Sequence, residues 1–188
     1  MSTQLQPSDR ELWASCREGD GDAFGRLFDR HARAVYNHAF RLTGSWAAAE
    51  DVTQATFLVA WRRRGEVEPA GGAVLPWLLV VAGNTARGEG RALRRRLALL
   101  HRVPPPPDEA DPADEVAARL DDEHRMRAIL RQVRRLPRAQ REAVALCLWS
   151  GLSYVDAAAA VGVAPATMRS RVSRARARLG TLLQEEEA

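Results

Sequence analysis

Five arginines fall within the ten residues from Arg169 to Arg178, at positions 169, 171, 174, 176 and 178, with no acid among them. At 100° per residue, Met168, Val172, Ala175 and Leu179 form one narrow apolar stripe that must face a core. Thr167, Ser170, Ser173 and Arg174 point away from that stripe. Arg171 and Arg178 lie on one flank, Arg169 and Arg176 on the other. Guanidinium flanks can hold phosphates, and a small-polar outer face lets a helix approach base edges in a major groove. A merely solvated helix usually interleaves both signs, so this pattern points to a polyanion. No competing catalytic chemistry is legible. The chain shows no nucleophile–base pair, no glycine-rich phosphate loop and no CxxC. Cys16 and Cys147 stand alone and read as buried free thiols. His31, His38, His101 and His124 have no ligand spacing. We therefore expect no enzymatic activity, no metal and no cofactor.

The basic helix must be positioned by its neighbours. Ser153 can cap a short alanine-rich helix, Val155 to Val161. Gly162 then supplies a turn at positive φ, and Pro165 opens the next helix, which runs to about Leu183. This is the outline of a helix-turn-helix. Upstream, a helix from about Asp114 to Arg135 starts acidic and ends basic, which complements the helix dipole. Leu136-Pro137 breaks the chain, and a further helix to Trp149 would support the pair. Charge is segregated. Residues 125–184 hold 12 arginines against 2 acids, whereas residues 101–124 hold 2 arginines against 8 acids. All 28 basic residues are arginine; lysine is absent.

The first hundred residues read as a second helical unit. Ser8 to Glu11 is a capping box that opens a short helix to about Glu18. A long helix spans about Asp22 to Leu42, with Phe24, Leu27, Phe28, His31, Val35, His38, Ala39 and Leu42 at helical spacing. The spacing assigns both histidines to packing or helix–helix hydrogen bonding. Ser45 caps a helix from Trp46 to about Arg63, which carries a patch of Glu50, Asp51, Thr53, Gln54 and Phe57 and ends in Arg62, Arg63 and Arg64. A glycine- and proline-containing loop follows. A helix from about Val74 to Leu100 is apolar in its first half and basic in its second, with Arg87, Arg91, Arg94, Arg95 and Arg96. Residues 101–113 contain four successive prolines and several acids, the composition of an extended linker. The acidic end, from Glu185, should fray. The expected fold is all-α: two compact helical domains, residues 8–100 and 114–184, on a flexible tether.

These motifs together resemble the extracytoplasmic-function sigma factors of bacterial RNA polymerase. Ala49 to Phe57 is similar to that family's AEDxxQxxF segment, and Pro76-Trp77-Leu78 with Ala82, Asn84, Ala86 and Arg91 to its PWLxxxAxNxAxxxxR segment. Leu136-Pro137 with Arg141-Glu142 matches LPxxxRE. Gly151 to Tyr154, Gly162 and Thr167 to Arg176 match its helix-turn-helix segment. Val155 stands where the family usually has an acid. The resemblance implies a sigma region 2 bundle and a region 4 helix-turn-helix. It implies docking of Glu50, Asp51, Gln54 and Phe57 on the polymerase clamp, with further contact to the flap. It implies capture of −10 bases by the loop from Arg64 to Leu75 with Asn84, Arg87 and Arg91, and phosphate contacts by Arg62, Arg63, Arg64, Arg94 and Arg95. The −35 element would be read by Thr167, Arg169, Ser170, Arg171, Arg174 and Arg176. Its implied partners are core RNA polymerase, promoter DNA and an anti-sigma factor. A stand-alone helix-turn-helix regulator is the alternative from the motif alone. No run reaches the roughly 20 apolar residues of a membrane span, and the first residues do not resemble a signal peptide. The expected location is cytoplasmic, with no membrane insertion.

Overall fold

The computed structural model describes residues 7–99 and 113–187, and among them all regular structure is helical. Helix α1 (Asp9–Arg17) opens on the expected capping box: the Glu11 N–H donates to Ser8 Oγ at 3.3 Å, and the Ser8 N–H to Glu11 Oε2 at 2.7 Å. Helix α2 (Gly21–Thr43) is capped by the Asp20 carboxylate, and α3 (Trp46–Arg63) by Ser45. A loop containing the 3₁₀ turn Ala70–Gly72 leads into α4 (Val74–Leu99). Helices α1 to α4 form the first lobe, in which α2, α3 and α4 pack mutually and α1 lies mainly on α2. Its core includes Leu27, Val35, Val52, Leu78 and Leu79, each almost fully buried.

The second lobe comprises α5 (Ala113–Arg134), α6 (Arg138–Ala143), α7 (Tyr154–Val161) and α8 (Pro165–Glu187). Where the sequence predicts one α-helix to Trp149, the structure has α6 running into a π-helical segment, Val144–Trp149. The wider turn ends with the Ser150 N–H donating five residues back, to the Ala145 carbonyl at 3.1 Å. Helix α8 continues to Glu187, so residues 185–187 extend the helix instead of fraying. Residues 101–112 of the expected linker and Ala188 lie outside the described residues.

The two lobes pack against each other. One continuous apolar core runs from Leu27, Leu78 and Leu79 of the first lobe to Ala157, Ala158, Met168 and Val172 of the second. Polar contacts line the same seam. His38 Nδ1 and Ser150 Oγ are 2.7 Å apart, and Arg41 Nη1 donates to the Trp149 carbonyl at 2.6 Å. The Trp46 N–H at the start of α3 donates to Glu123 Oε1 of α5 at 2.8 Å, a helix cap supplied by the other lobe. Helical spacing says which residues need burial, and each lobe's residues can be buried by the other lobe as well as by their own.

Candidate nucleic-acid interface

Helix α7, the turn at Gly162 and helix α8 form a helix-turn-helix. Ser153 Oγ accepts from the Asp156 N–H at 3.0 Å, which fixes the start of α7. Gly162 adopts φ 77° and ψ 41°, the left-handed region that favours glycine, and its N–H donates to the Ala158 carbonyl. The expected stripe is where the wheel puts it: Met168, Val172 and Ala175 are buried, and Leu179 packs beside Trp149 on a smaller cluster with Val133 and Val144. Thr167, Arg169, Ser170, Ser173, Arg174, Arg176 and Arg178 are exposed, and Arg171 is half-buried. Among the described residues none of the five arginines pairs with a carboxylate. The Arg174 Nε–H donates to the Ser170 carbonyl at 3.3 Å, and the Arg169 guanidinium lies 6.0 Å from the Tyr154 ring centre, at the limit of a cation–π contact. A rigid helix thus presents small polar groups between rows of unneutralised guanidinium groups.

In the first lobe the structure separates the expected residues. Glu50, Asp51 and Gln54 share an exposed face of α3, with Gln54 Nε2 donating to Glu50 Oε1 at 3.3 Å. Phe57 does not join that face. It is 5% exposed, its ring 4.7 Å from Phe28 and 6.2 Å from Phe24, so it supports the patch from beneath. Thr53 is buried too, donating to the Ala49 carbonyl. The large apolar groups that do reach the surface are Phe28 at 42% and Leu58 at 48% exposure. Arg62 and Arg63 are exposed at the end of α3. Arg64 instead folds back, its guanidinium 3.9 Å from the Trp61 ring centre and its Nη1 donating to the Trp61 carbonyl at 2.6 Å. Asn84 and Arg87 bond each other, and Arg87 lies 3.7 Å from Glu142 of α6. They sit about 15 and 20 Å along α4 from its start, at 1.5 Å per residue, away from the loop, with Arg87 on the seam between lobes. Arg91, Arg94 and Arg95 belong to the second half of α4, and their side chains lie outside the described ones.

The loop between α3 and α4 is braced by α1, which sequence reasoning did not connect to it. The Trp13 indole N–H donates to the Val67 carbonyl at 3.0 Å, and the ring meets Trp77 edge-on at 5.3 Å. The Val74 N–H donates to Asp9 Oδ2 at 3.4 Å. Asp9 is held in turn by Arg30 at 2.6 Å and His31 at 2.8 Å. Burial works to raise the Asp9 pKa, but these hydrogen bonds and the nearby His31 hold it below the ordinary carboxylate value. Gly71 and Gly72 have φ of 65° and 75°, and a Cβ on Gly72 would meet Arg10 Nε at 2.6 Å. The capping-box serine and the Gly-Gly pair were the sequence signals, but neither names its partner.

The thiols and the seam histidine are poor reactive groups. Burial, with Asp20 nearby, raises the Cys16 pKa to about 11, and burial raises that of Cys147. Burial, with the Arg41 charge adding to it, lowers His38 to about 4, so it is neutral at pH 7. Among the described residues no group of three or more His, Cys, Asp or Glu is placed to hold a metal ion, and no helix is long and apolar enough to cross a membrane.

Comparison with known proteins matches this architecture. Residues 27–96 match the family model for sigma-70 region 2, and residues 126–179 that for sigma-70, region 4. The chain is 38% identical over 171 residues to the RNA polymerase sigma factor CarQ of Myxococcus xanthus, covering 91% of this chain and 95% of CarQ. It is 36% identical over 176 residues to the ECF RNA polymerase sigma factor SigM of Mycobacterium tuberculosis, covering 94% and 85%. Among solved structures it is similar to CnrH in complex with the cytosolic domain of CnrY, with a TM-score of 0.67, 28% identity and coverage of 95% and 99%. It is also similar to the sigma factor RpoE in complex with the anti-sigma factor NepR from Bartonella quintana, with a TM-score of 0.58, 32% identity and coverage of 86% and 96%. These relatives set aside the stand-alone regulator. The chain belongs to the extracytoplasmic-function RNA polymerase sigma factors, which bind core polymerase and DNA and direct transcription initiation without being enzymes.

Proposed function

We propose that the two lobes divide promoter recognition, with residues 8–100 acting on the −10 element and residues 114–184 on the −35 element, and residues 101–113 as the tether. The observation that carries this reading is the outer face of α8 over residues 167–178, which holds no acid and is fixed by its buried stripe of Met168, Val172 and Ala175. Thr167, Ser170, Arg171 and Arg174 read base edges there, and Arg169 and Arg176 hold flanking phosphates. The loop from Arg64 to Leu75 receives unpaired −10 bases, with Arg62, Arg63, Arg94 and Arg95 gripping phosphates beside it. Asn84, Arg87 and Arg91 of α4 contribute to the same site.

Glu50, Asp51 and Gln54 dock on the polymerase clamp, backed by Phe57, with Phe28 and Leu58 supplying apolar contact. The second lobe rests on the flap. Tethering both lobes to one enzyme raises the effective concentration of each weak DNA contact. An anti-sigma partner is proposed because the similar structures of CnrH and RpoE are complexes, the latter with an anti-sigma factor.

Run-off transcription with core polymerase on genomic fragments tests the assignment. The native chain selects new start sites. Asp51→Lys combined with Gln54→Ala abolishes them while duplex binding by the full chain persists. Equal loss of both activities overturns the docking role.

A further inference from the structure

A cavity of about 360 Å³ lies where α2, α4, α5, α6 and the π-helical segment meet. Sites that hold a small organic molecule begin at roughly 300 Å³, so this one has room for such a ligand. Its walls include Leu79, Leu130, Val133 and Leu146, each almost fully buried. His38 lines the α2 side and adds no charge there at pH 7, its Nδ1 being engaged by Ser150 Oγ.

The charged groups around those walls are almost all of one sign. Arg87, Arg134, Arg138 and Arg141 line the cavity against one carboxylate, Glu142. Arg87 lies 3.7 Å from that carboxylate and accounts for it. Among the described residues, Arg134, Arg138 and Arg141 pair with no acid. Arg141 Nη1 donates to the Arg134 carbonyl at 3.3 Å. That bond ties one guanidinium across the turn from α5 to α6 and leaves it further N–H donors. Arg134 and Arg138 are exposed and form a cationic rim.

Gly83 of α4 also lines the cavity. Glycine weakens a helix interior relative to alanine, and nothing in the packing demands it here. A Cβ at Gly83 would meet Arg87 Nη1 at 3.6 Å, an ordinary contact. What a larger side chain would remove is the volume of the cavity. Apolar walls under a rim of unneutralised guanidinium groups suit a molecule with both characters. A hydrated phosphate gains nothing from the walls, and an uncharged hydrocarbon leaves the guanidinium groups without a partner.

We propose that this cavity is a binding site for a small amphipathic carboxylate, its apolar body against Leu79, Leu130, Val133 and Leu146 and its charged end held by Arg134, Arg138 and Arg141. The proposal stands on the cavity alone and does not depend on the −10 and −35 assignments. A ligand that binds only the folded chain also raises its melting temperature with concentration.

The experiment titrates the full chain with decanoate, below the concentration at which it forms micelles. Decanol supplies the body without the charge, and acetate the charge without the body. Calorimetry and the melting temperature report binding, and amide chemical shifts report its place. Decanoate should bind at least about tenfold more tightly than either control, raise the melting temperature, and shift the amides of Gly83, Leu130 and Leu146. Arg134→Gln combined with Arg138→Gln, both at exposed positions, should weaken decanoate about tenfold through lost charged hydrogen bonds. Gly83→Leu, at unchanged helix content, should abolish binding by filling the cavity. No binding of decanoate to the native chain overturns the site. Binding that survives in both variants overturns it as well, by placing the molecule elsewhere on the surface. Equal affinity for decanol, or no loss in the arginine variant, overturns the anionic class of ligand.

Discussion

Trp13→Phe keeps an aromatic ring beside Trp77 and deletes the indole N–H that donates to the Val67 carbonyl at 3.0 Å. Val67 is half-buried, so water can take over part of the lost bond. The hydrogen bond is then worth about 1 kcal/mol net. Trp13 is only 3% exposed, so the missing part of the indole also leaves a gap, adding about 1 kcal/mol in lost packing. The second amount falls on global stability and the first on the loop. At about 1.4 kcal/mol per factor of ten, residues 66–73 should exchange their amides about fivefold faster beyond any global change. Urea unfolding should show a loss of about 2 kcal/mol in total. If the loop's shape governs strand capture, promoter opening followed by permanganate reactivity should fall about fivefold on a template found by run-off, with polymerase binding intact. Unaltered exchange in 66–73 would refute the brace. Accelerated exchange with full promoter opening would refute its relevance to strand capture.

Arg171→Ala should cost about 1–3 kcal/mol at a single −35 position, measured by duplex binding to a panel of single-base variants. A uniform loss across the panel would make Arg171 a phosphate contact. His38 gives a pH dependence with a definite sign. Its folded pKa of about 4 lies below the ordinary histidine value of 6.5, so between those values the unfolded chain binds a proton that the folded chain does not. Stability should therefore fall as pH drops from about 6.5 to 4, by up to about 3 kcal/mol, and His38→Gln should flatten that part of a pH series of urea midpoints.

Much of the fold was legible because helix ends carry local chemistry. Ser8 with Glu11, Ser45, Ser153 and Gly162 all act where their residue types say they should, since each cap is decided within four residues. The α8 wheel was legible for the same reason: the buried stripe of Met168, Val172 and Ala175 fixes the opposite face. The patch around Glu50 was only partly legible. Phe57 shares a helix with Asp51 and Gln54, and only the tertiary fold shows that Phe24 and Phe28 cover it while Leu58 stays exposed. The brace from Trp13 to Val67 spans 54 residues, and no local pattern encodes a carbonyl as the partner of an indole. The π-helical segment was invisible because its residues, VALCLW, suit an ordinary buried helix. Only its final turn reveals the extra residue.

Local contacts matter more than their size suggests because strand capture is so nearly balanced. A sigma factor is not an enzyme, so separated bases must be held by binding alone. Each captured base contributes about 1–3 kcal/mol by stacking, against about 1.4 kcal/mol for each duplex step undone. For two or three bases the difference is a few kcal/mol of either sign. The Trp13–Val67 bond acts on the scale of that difference. If the loop between α3 and α4 captures the strand as proposed, small contacts remote from the proposed reading face of α8 can thereby decide whether a bound promoter opens.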